Sequence, residues 1–240
     1  MKYPKMVVFT TETSHHTYFV QELSKVVPLE YVLVEKNAPV APFETLHPFE
    51  KVRESYERNI FWGGSNISLS DVAKIIEVNS INSAEALAYL RKLKPEIIFV
   101  FGVGRIGKEV IEVCPDGIFN LHGGDPEEYR GLDSHLWAIY HNNFERLIVT
   151  LHRINEKLDD GDIVLQTPIP LAPRMELHEL RRYNTVVCLQ LVLAAMDQYV
   201  REGRVIARPQ VRYGRYYSFM PSLLKEVCQR QFKRYVENLR

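Results

Sequence analysis

The sequence predicts an α/β fold, Rossmann-like in layout: a mostly parallel twisted sheet with helices on both faces, followed by a short C-terminal segment. Three observations carry this expectation. The chain opens on a strand–helix–strand pattern between Lys5 and Val34. Its apolar runs at 5–10, 31–34 and 97–101 are unbroken instead of alternating, as strands covered on both faces require. Amphipathic stretches separate these runs, and a strand–helix–strand unit within one sheet makes its strands parallel.

The first strand is Lys5–Thr10, built on Met6, Val7, Val8 and Phe9. A polar turn, Thr11–Ser14, leads to a helix over His16–Val26, with Phe19, Val20, Leu23 and Val27 on one face. Tyr31–Val34 is the second strand, after which Pro39, Pro42 and Pro48 break the chain. Phe49–Trp62 reads as a helix that Gly63-Gly64 ends. Asn82–Lys92 reads as another, with Ser83 as its cap. Pro95 precedes the strongest strand, Ile97–Phe101, and Gly102 and Gly104 mark the turn beyond it. A short helix over Gly107–Cys114 and a strand over Ile118–His122 come next. Leu132–His141 is helical, Leu147–Ile154 alternates as a strand, and Ile163–Ile169 is its antiparallel partner across the Asn155–Gly161 turn. Leu177–Glu202 is the longest helix. A Tyr-rich stretch and a basic amphipathic helix, Leu223–Leu239, come last. The division expected is one large domain over 1–205 and a C-terminal segment over 206–240.

Composition narrows the function classes. In 240 residues, 46% are apolar, enough for a full core, and Lys plus Arg equals Asp plus Glu at 30 each. A protein built to grip a polyanion carries a basic excess, so nucleic acid is not the expected partner. Cys114, Cys188 and Cys228 have no metal-knuckle spacing and read as reduced thiols. The N-terminus lacks a signal-peptide shape, and no run reaches the ~18 apolar residues of a membrane span. These features point to a cytoplasmic protein without a metal or a membrane partner.

The stretch Phe119-Asn120-Leu121-His122-Gly123-Gly124 carries the chemistry. Alternation puts Asn120 and His122 on one face of the strand and turns Phe119 and Leu121 into the core. A polar pair at the C-terminal end of a strand sits where open α/β sheets place ligands; it is also what a hydrogen-bonded strand cap looks like. Downstream, Leu158-Asp159-Asp160-Gly161 is either an ordinary turn or a carboxylate delivered beside an imidazole, where it would orient the ring and favour its charged form.

The Asn-x-His motif with a downstream Leu-Asp-x-Gly resembles the 10-formyltetrahydrofolate-dependent formyltransferases. Their catalytic trio falls on Asn120, His122 and Asp159, and His152 matches a further histidine found in some members. The resemblance is good over residues 75 to 172 and loose over the opening strand–helix–strand unit. It implies a formyltransferase catalytic domain, with 10-formyltetrahydrofolate as cosubstrate and acyl transfer that needs neither a cysteine nucleophile nor a metal. It also implies where the folate lies: Gly104, Arg105 and Ile106, with Val110 as a wall, on one side, and the loop Ile154, Asn155, Glu156 and Leu158 to Asp159 on the other.

The acceptor is read by comparison within that family. The Gly-rich phosphate loop of a glycinamide ribonucleotide enzyme has no counterpart in Thr11-Glu12-Thr13-Ser14-His15-His16. Little more than thirty residues come after the long helix, where a methionyl-tRNA enzyme carries a tRNA-binding domain. The chain is most similar to the sugar N-formyltransferases. The stretch from Gly123 to Asp133 resembles the branch acting on GDP-perosamine, which feeds bacterial O-antigen. Gly123, Gly124, Arg130, Asp133, His152 and Tyr217 are the expected acceptor contacts, a nucleotide sugar the expected partner, and a homodimer the expected assembly. Hydroxyornithine is the alternative acceptor; a formate-releasing hydrolase and a folate- or nucleotide-binding module without turnover are the readings from other classes. His15-His16 is either a helix start or a pyrophosphate contact, and Trp137 and Tyr140 are core or sugar platform. Tyr213, Tyr216 and Tyr217, beside Arg212 and Arg215, either stack a base or pack the C-terminal helix.

Overall fold

Seven strands make one central sheet in the computed structural model, which describes residues 3–37 and 40–239; Pro39 lies outside the described residues. In chain order the elements begin with β1 (Met6–Thr10), α1 (Ser14–Ser24), β2 (Tyr31–Glu35), α2 (Pro48–Trp62), α3 (Leu69–Val72), β3 (Ile75–Val78), α4 (Ala84–Leu93) and β4 (Ile97–Phe101). They continue with α5 (Lys108–Ile111), β5 (Ile118–His122), β6 (Tyr129–Gly131), α6 (Ser134–Tyr140), β7 (Ile148–Arg153), β8 (Ile163–Pro168), α7 (Leu180–Glu202), β9 (Arg215–Tyr217) and α8 (Ser222–Glu237). The strand order is β3-β2-β1-β4-β5-β7-β8. The first five strands are parallel, and β7 and β8 are antiparallel additions at one edge.

The unbroken apolar runs have the predicted cause. Every residue of β1 and of β4 is buried, because helices cover both faces. One face packs Val8, Phe99, Phe119 and Leu121 against α1, α6 and α7; the other packs Val7, Phe9 and Ile98 against α4 and α5. Each such side chain contributes roughly 1.5–3 kcal/mol by leaving water. Met220, Cys228, Phe232 and Val236 of the C-terminal segment belong to the first of these cores.

Several expectations shift by local chemistry. α1 starts two residues early because the Thr13 side chain caps it, accepting from the His16 amide. Pro48 does not break the chain but opens α2, where its missing N–H is not needed. Ser83 caps α4 as predicted. The predicted long helix starts with a separate 3-10 turn over Leu177–Glu179. β3 and α3 were not anticipated, nor was the small parallel pairing of β6 with β9. No helix among the described residues is long and apolar enough to cross a membrane.

The β7–β8 connection carries Asp159 and is closed by a glycine. Gly161 lies so close to Arg153 that a Cβ would collide with the Arg153 carbonyl oxygen. Only glycine lets the two strands close at that point, and the closure sets the path of residues 154–160. We expect Gly161→Ala to lower stability by about 2 kcal/mol or more, the range of overpacked sites. A urea midpoint equal to wild type would show that the hairpin has slack.

Candidate active site

Strand pairing assembles the first three polar groups. β5 presents Asn120 and His122 on the same face at the C-terminal end of the sheet. The antiparallel register puts His152 of β7 directly opposite Asn120, and residues paired in this way share a face. Asn120 Nδ2 lies 3.2 Å from His152 Nε2. His152 Nδ1 donates to the Arg153 carbonyl at 2.7 Å, which turns Nε2 toward Asn120 and Asp159.

Asp159 arrives from the β7–β8 loop in a left-handed conformation, φ 49°. Gln210 Nε2 donates to the carbonyls of Asp159 and Gly161, both at 2.9 Å, and Arg130 Nε donates to the Leu158 carbonyl at 2.9 Å. Held in this way, the carboxylate meets four groups. Oδ2 accepts the Gly131 amide at 2.8 Å and faces His122 Nδ1 at 3.6 Å. Oδ1 faces His152 Nε2 at 3.4 Å and accepts Asn120 Nδ2 at 3.3 Å. Burial opposes ionisation, but the charge of His122, the hydrogen bond and charge of His152 and the Gly131 amide outweigh it; the carboxyl sits well below the usual range. The His122 ring is anchored by donating Nε2–H to the Tyr129 carbonyl at 2.8 Å, which leaves Nδ1 as the nitrogen turned to Asp159.

These groups line one end of a cavity of about 720 Å³, within the range of small-molecule sites. Gly104, Arg105, Ile106, Ile154, Asn155 and Leu158 line it, as do Gly123 and Asp133. The turn after β4 is fixed from below. Buried Glu35 accepts the Gly104 amide at 2.7 Å, and Asn82 bridges the Arg105 carbonyl and the Gly107 amide at 2.8 and 2.6 Å. Arg105 ties this wall to the other by donating to the Glu156 carbonyl. Two apolar walls with backbone edges and an acid at one end suit a flat, polar-edged ring.

Other expected contacts lie elsewhere. Val110 is buried in the core under α5, and Glu156 contributes its backbone only. Gly124 is packed against Ser134 and the His122 ring. Arg130 is spent on Leu158 and stacks on Tyr213, 3.7 Å from the ring centre. Tyr217 does not line this cavity. It stacks on Tyr129 at 5.5 Å, touches Trp137 at 5.0 Å, and borders a separate hollow of about 360 Å³ with Arg212 and Arg215. Tyr216 does reach the main cavity.

The helical side of the cavity was less legible in the sequence. His15 and His16 line it, held by Thr13 and Thr11. Burial first, then neighbouring charge, pushes His15 well down and His16 to about 3. Arg53 and Arg181 lie beside them. Arg181 makes two 2.6 Å bonds to Glu57, which is fully buried. Burial and Arg181 together lower Arg53 to about 10. His135 and Asn184 complete this wall. Only the i, i+4 placement of Arg53 and Glu57 on one face of α2 could have hinted at this cluster.

Residues 37–186 match the family model described as formyl transferase. Among curated relatives, the methionyl-tRNA formyltransferase of Thermotoga maritima is 29% identical over 136 residues, covering 56% of this chain and 43% of that protein. The chain spans less than half the length of the curated relatives it matches. A 4-N formyltransferase from Francisella tularensis shares the fold at a TM-score of 0.61 and 13% identity, covering 90% of this chain and 77% of that one. The N-formyltransferase from Helicobacter canadensis, solved with folinic acid and dTDP-3-aminofucose, does so at 0.56 and 18%, covering 90% and 71%.

The electrostatics have two measurable outcomes. The folded Asp159 carboxyl is depressed, so its stabilisation is complete above the unfolded value near pH 4 and is lost as pH falls below it. The urea midpoint of the wild type should therefore drop more steeply below about pH 4 than that of Asp159→Asn; equal acid sensitivity would contradict the depressed carboxyl. Arg181→Leu strands the buried Glu57 charge and should cost about 3–5 kcal/mol, with Glu57→Leu in the same chain recovering most of it.

Proposed function

The chain belongs to the formyl transferase family, and from that premise we propose that it moves a formyl group from 10-formyltetrahydrofolate to the amino group of a nucleotide-linked amino sugar. The observation that carries this reading is the convergence of Asn120, His122 and Asp159 at one end of a cavity whose two walls fit a pterin. The cosubstrate supplies the activated formyl carbon; the residues of this chain bind it, orient it and manage charge and protons.

The amine attacks the formyl carbon and negative charge grows on the formyl oxygen. Asn120 Nδ2 is the donor in place for that oxygen. Its resting bonds to His152 and Asp159, at 3.2 and 3.3 Å, are long enough to be exchanged for a shorter one. The amine loses a proton as its new C–N bond forms, and His122 Nδ1, backed by the ionised Asp159, is the base that receives it. The bond from the formyl carbon to the folate nitrogen then breaks, and that nitrogen takes up the proton that the amine released. His122 does not reach a formyl oxygen in this conformation, because Nε2 is committed to Tyr129 and Nδ1 to Asp159. Its role in this scheme is to share the proton with Asp159, not to share the oxyanion with Asn120.

GDP-perosamine is the first acceptor to test, with the finer reading that a cytoplasmic homodimer serves lipopolysaccharide O-antigen synthesis. A likeness to the 4-N and dTDP-3-aminofucose-bound enzymes supports a sugar amine. The identity to methionyl-tRNA formyltransferases favours a second reading, the α-amine of an aminoacyl-tRNA. Assays of folate release with GDP-perosamine, dTDP-3-aminofucose and Met-tRNA in parallel separate them, and formate release without any amine would instead indicate a hydrolase. Asn120→Ala, His122→Asn and Asp159→Asn should each cut turnover by roughly two orders of magnitude or more while folinic acid still binds. A folded His122→Asn enzyme with near wild-type turnover would overturn this assignment.

A further inference from the structure

We propose that Arg53 and Asp133 together grip hydroxyl groups of the acceptor's sugar ring, Arg53 donating to a hydroxyl oxygen and Asp133 accepting a hydroxyl hydrogen; this rests on the formyl-transfer reading above. Both residues line the main cavity. Arg53 comes from the second turn of α2. Its one hydrogen bond among the described residues is long, from Nη2 to Glu50 Oε1 at 3.4 Å. Glu50 is held more firmly by Lys225 Nζ at 3.0 Å and by the His47 amide at 2.8 Å. Arg53 Nε is shielded, but Nη1 is not, and Nη1 has no partner among the described residues. Arg181 beside it has both its bonds on Glu57.

Asp133 supplies the acceptor. It stands at the N-cap of α6 in a left-handed conformation, φ 50°, which is uncommon outside glycine. An aspartate at that position ordinarily accepts an amide of the first turn, and Asp133 makes no such bond. Its Oδ2 accepts the Met220 amide at 2.8 Å. Its Oδ1 is neither shielded nor hydrogen-bonded among the described residues. Asp133 also lies two positions beyond Gly131, whose amide holds Asp159. A group bound there is therefore close to the reacting amine, and belongs to the ring that carries it.

The two side chains sense one another's charge but form neither an ion pair nor a hydrogen bond with each other. Burial lowers Arg53 to about 10 and raises the Asp133 carboxyl, so their neighbours do not fully replace the water each has lost. Buried polar groups nearly always find partners, and two left open toward one cavity call for a ligand. Charge selects its kind. Arg53, Arg181 and Lys225 are matched by Glu50, Glu57 and Asp133, so a phosphate meets no surplus of positive charge. What the pair lacks is hydrogen bonds of opposite sense. A hydroxyl accepts and donates at once, and a sugar ring carries such groups on adjacent carbons. A ring gripped in this way presents its amine in one orientation, which is a large part of what an enzyme contributes to a two-substrate reaction.

Asp133→Asn keeps an acceptor for the Met220 amide and Arg53→Met keeps the aliphatic stem, so both should fold. Crystals soaked in a vicinal cyclohexanediol, which carries neither an amine nor a nucleotide, should show hydroxyl oxygens within hydrogen-bond distance of Arg53 Nη1 and Asp133 Oδ1 in the wild type. No such density should appear in Arg53→Met. With GDP-perosamine, each variant should lose about tenfold to a hundredfold in kcat/KM. Its Kd for GDP, which lacks the amino sugar, and for folinic acid should stay at the wild-type value. A diol that binds elsewhere, does not bind, or persists in Arg53→Met overturns the inference. So does wild-type kcat/KM in either variant, or an equal loss of affinity for GDP and GDP-perosamine. If the wild type does not accept GDP-perosamine, the sugar assignment fails while the diol soak still decides whether these two residues grip hydroxyls.

Discussion

Asp159 is an ion at 8% exposure, and a carboxylate taken out of water needs groups that replace its hydration. At this position they come from three different strands: Asn120 and His122 from β5, His152 from β7, and the Gly131 amide from β6. The requirement works in both directions. The carboxylate would be expensive without them, and they would be a loose set of polar side chains without it. The order at the top of the sheet comes from that mutual dependence, and so does the left-handed backbone at Asp159, which the surrounding bonds hold in place.

The cavity divides by chemistry along its length. The end lined by Gly104 to Ile106 is backbone and aliphatic surface, stiffened from beneath by Glu35 and Asn82. The opposite end is ionic and heterocyclic, with Arg53, Arg181, His15 and His135 drawn from four helices. Burial keeps the histidines there below their ordinary protonation range, so the site presents neutral rings and paired arginines and little loose charge. Such a surface discriminates by hydrogen-bond direction instead of net attraction.

Much of this was legible in the sequence, for identifiable reasons. β1, β4 and β5 were readable because a strand buried on both faces must be apolar throughout, and the strand–helix–strand opening set their direction. The pairing of Asn120 with His122 came from alternation alone. β3 escaped notice because its four residues at the sheet edge, two half-buried, one exposed and one buried, give no pattern. β6 and β9 are three residues each and are defined by one another across roughly eighty residues of chain. The Glu57–Arg181 pair is equally non-local: each partner looks ordinary in its own helix and becomes meaningful only when α2 and α7 close over the sheet. Arg130 and Tyr217 lie outside the main cavity for a related reason. Their chemistry suited a ligand, but tertiary packing had already engaged it.

The clamp on the Asp159 loop comes from far downstream. Gln210 holds the carbonyls of Asp159 and Gly161, and the strand that carries Gly131 is braced by Arg215–Tyr217. During translation the ribosome releases the apolar strands and the Asn-x-His pair long before it releases these supports. A nascent chain can therefore build its sheet while the acidic loop is still unfastened, and the costly burial of the carboxylate is deferred until the clamp emerges. Chemical competence is in this sense acquired late, when residues 210–217 have left the ribosome and can brace a loop that was synthesised well before them.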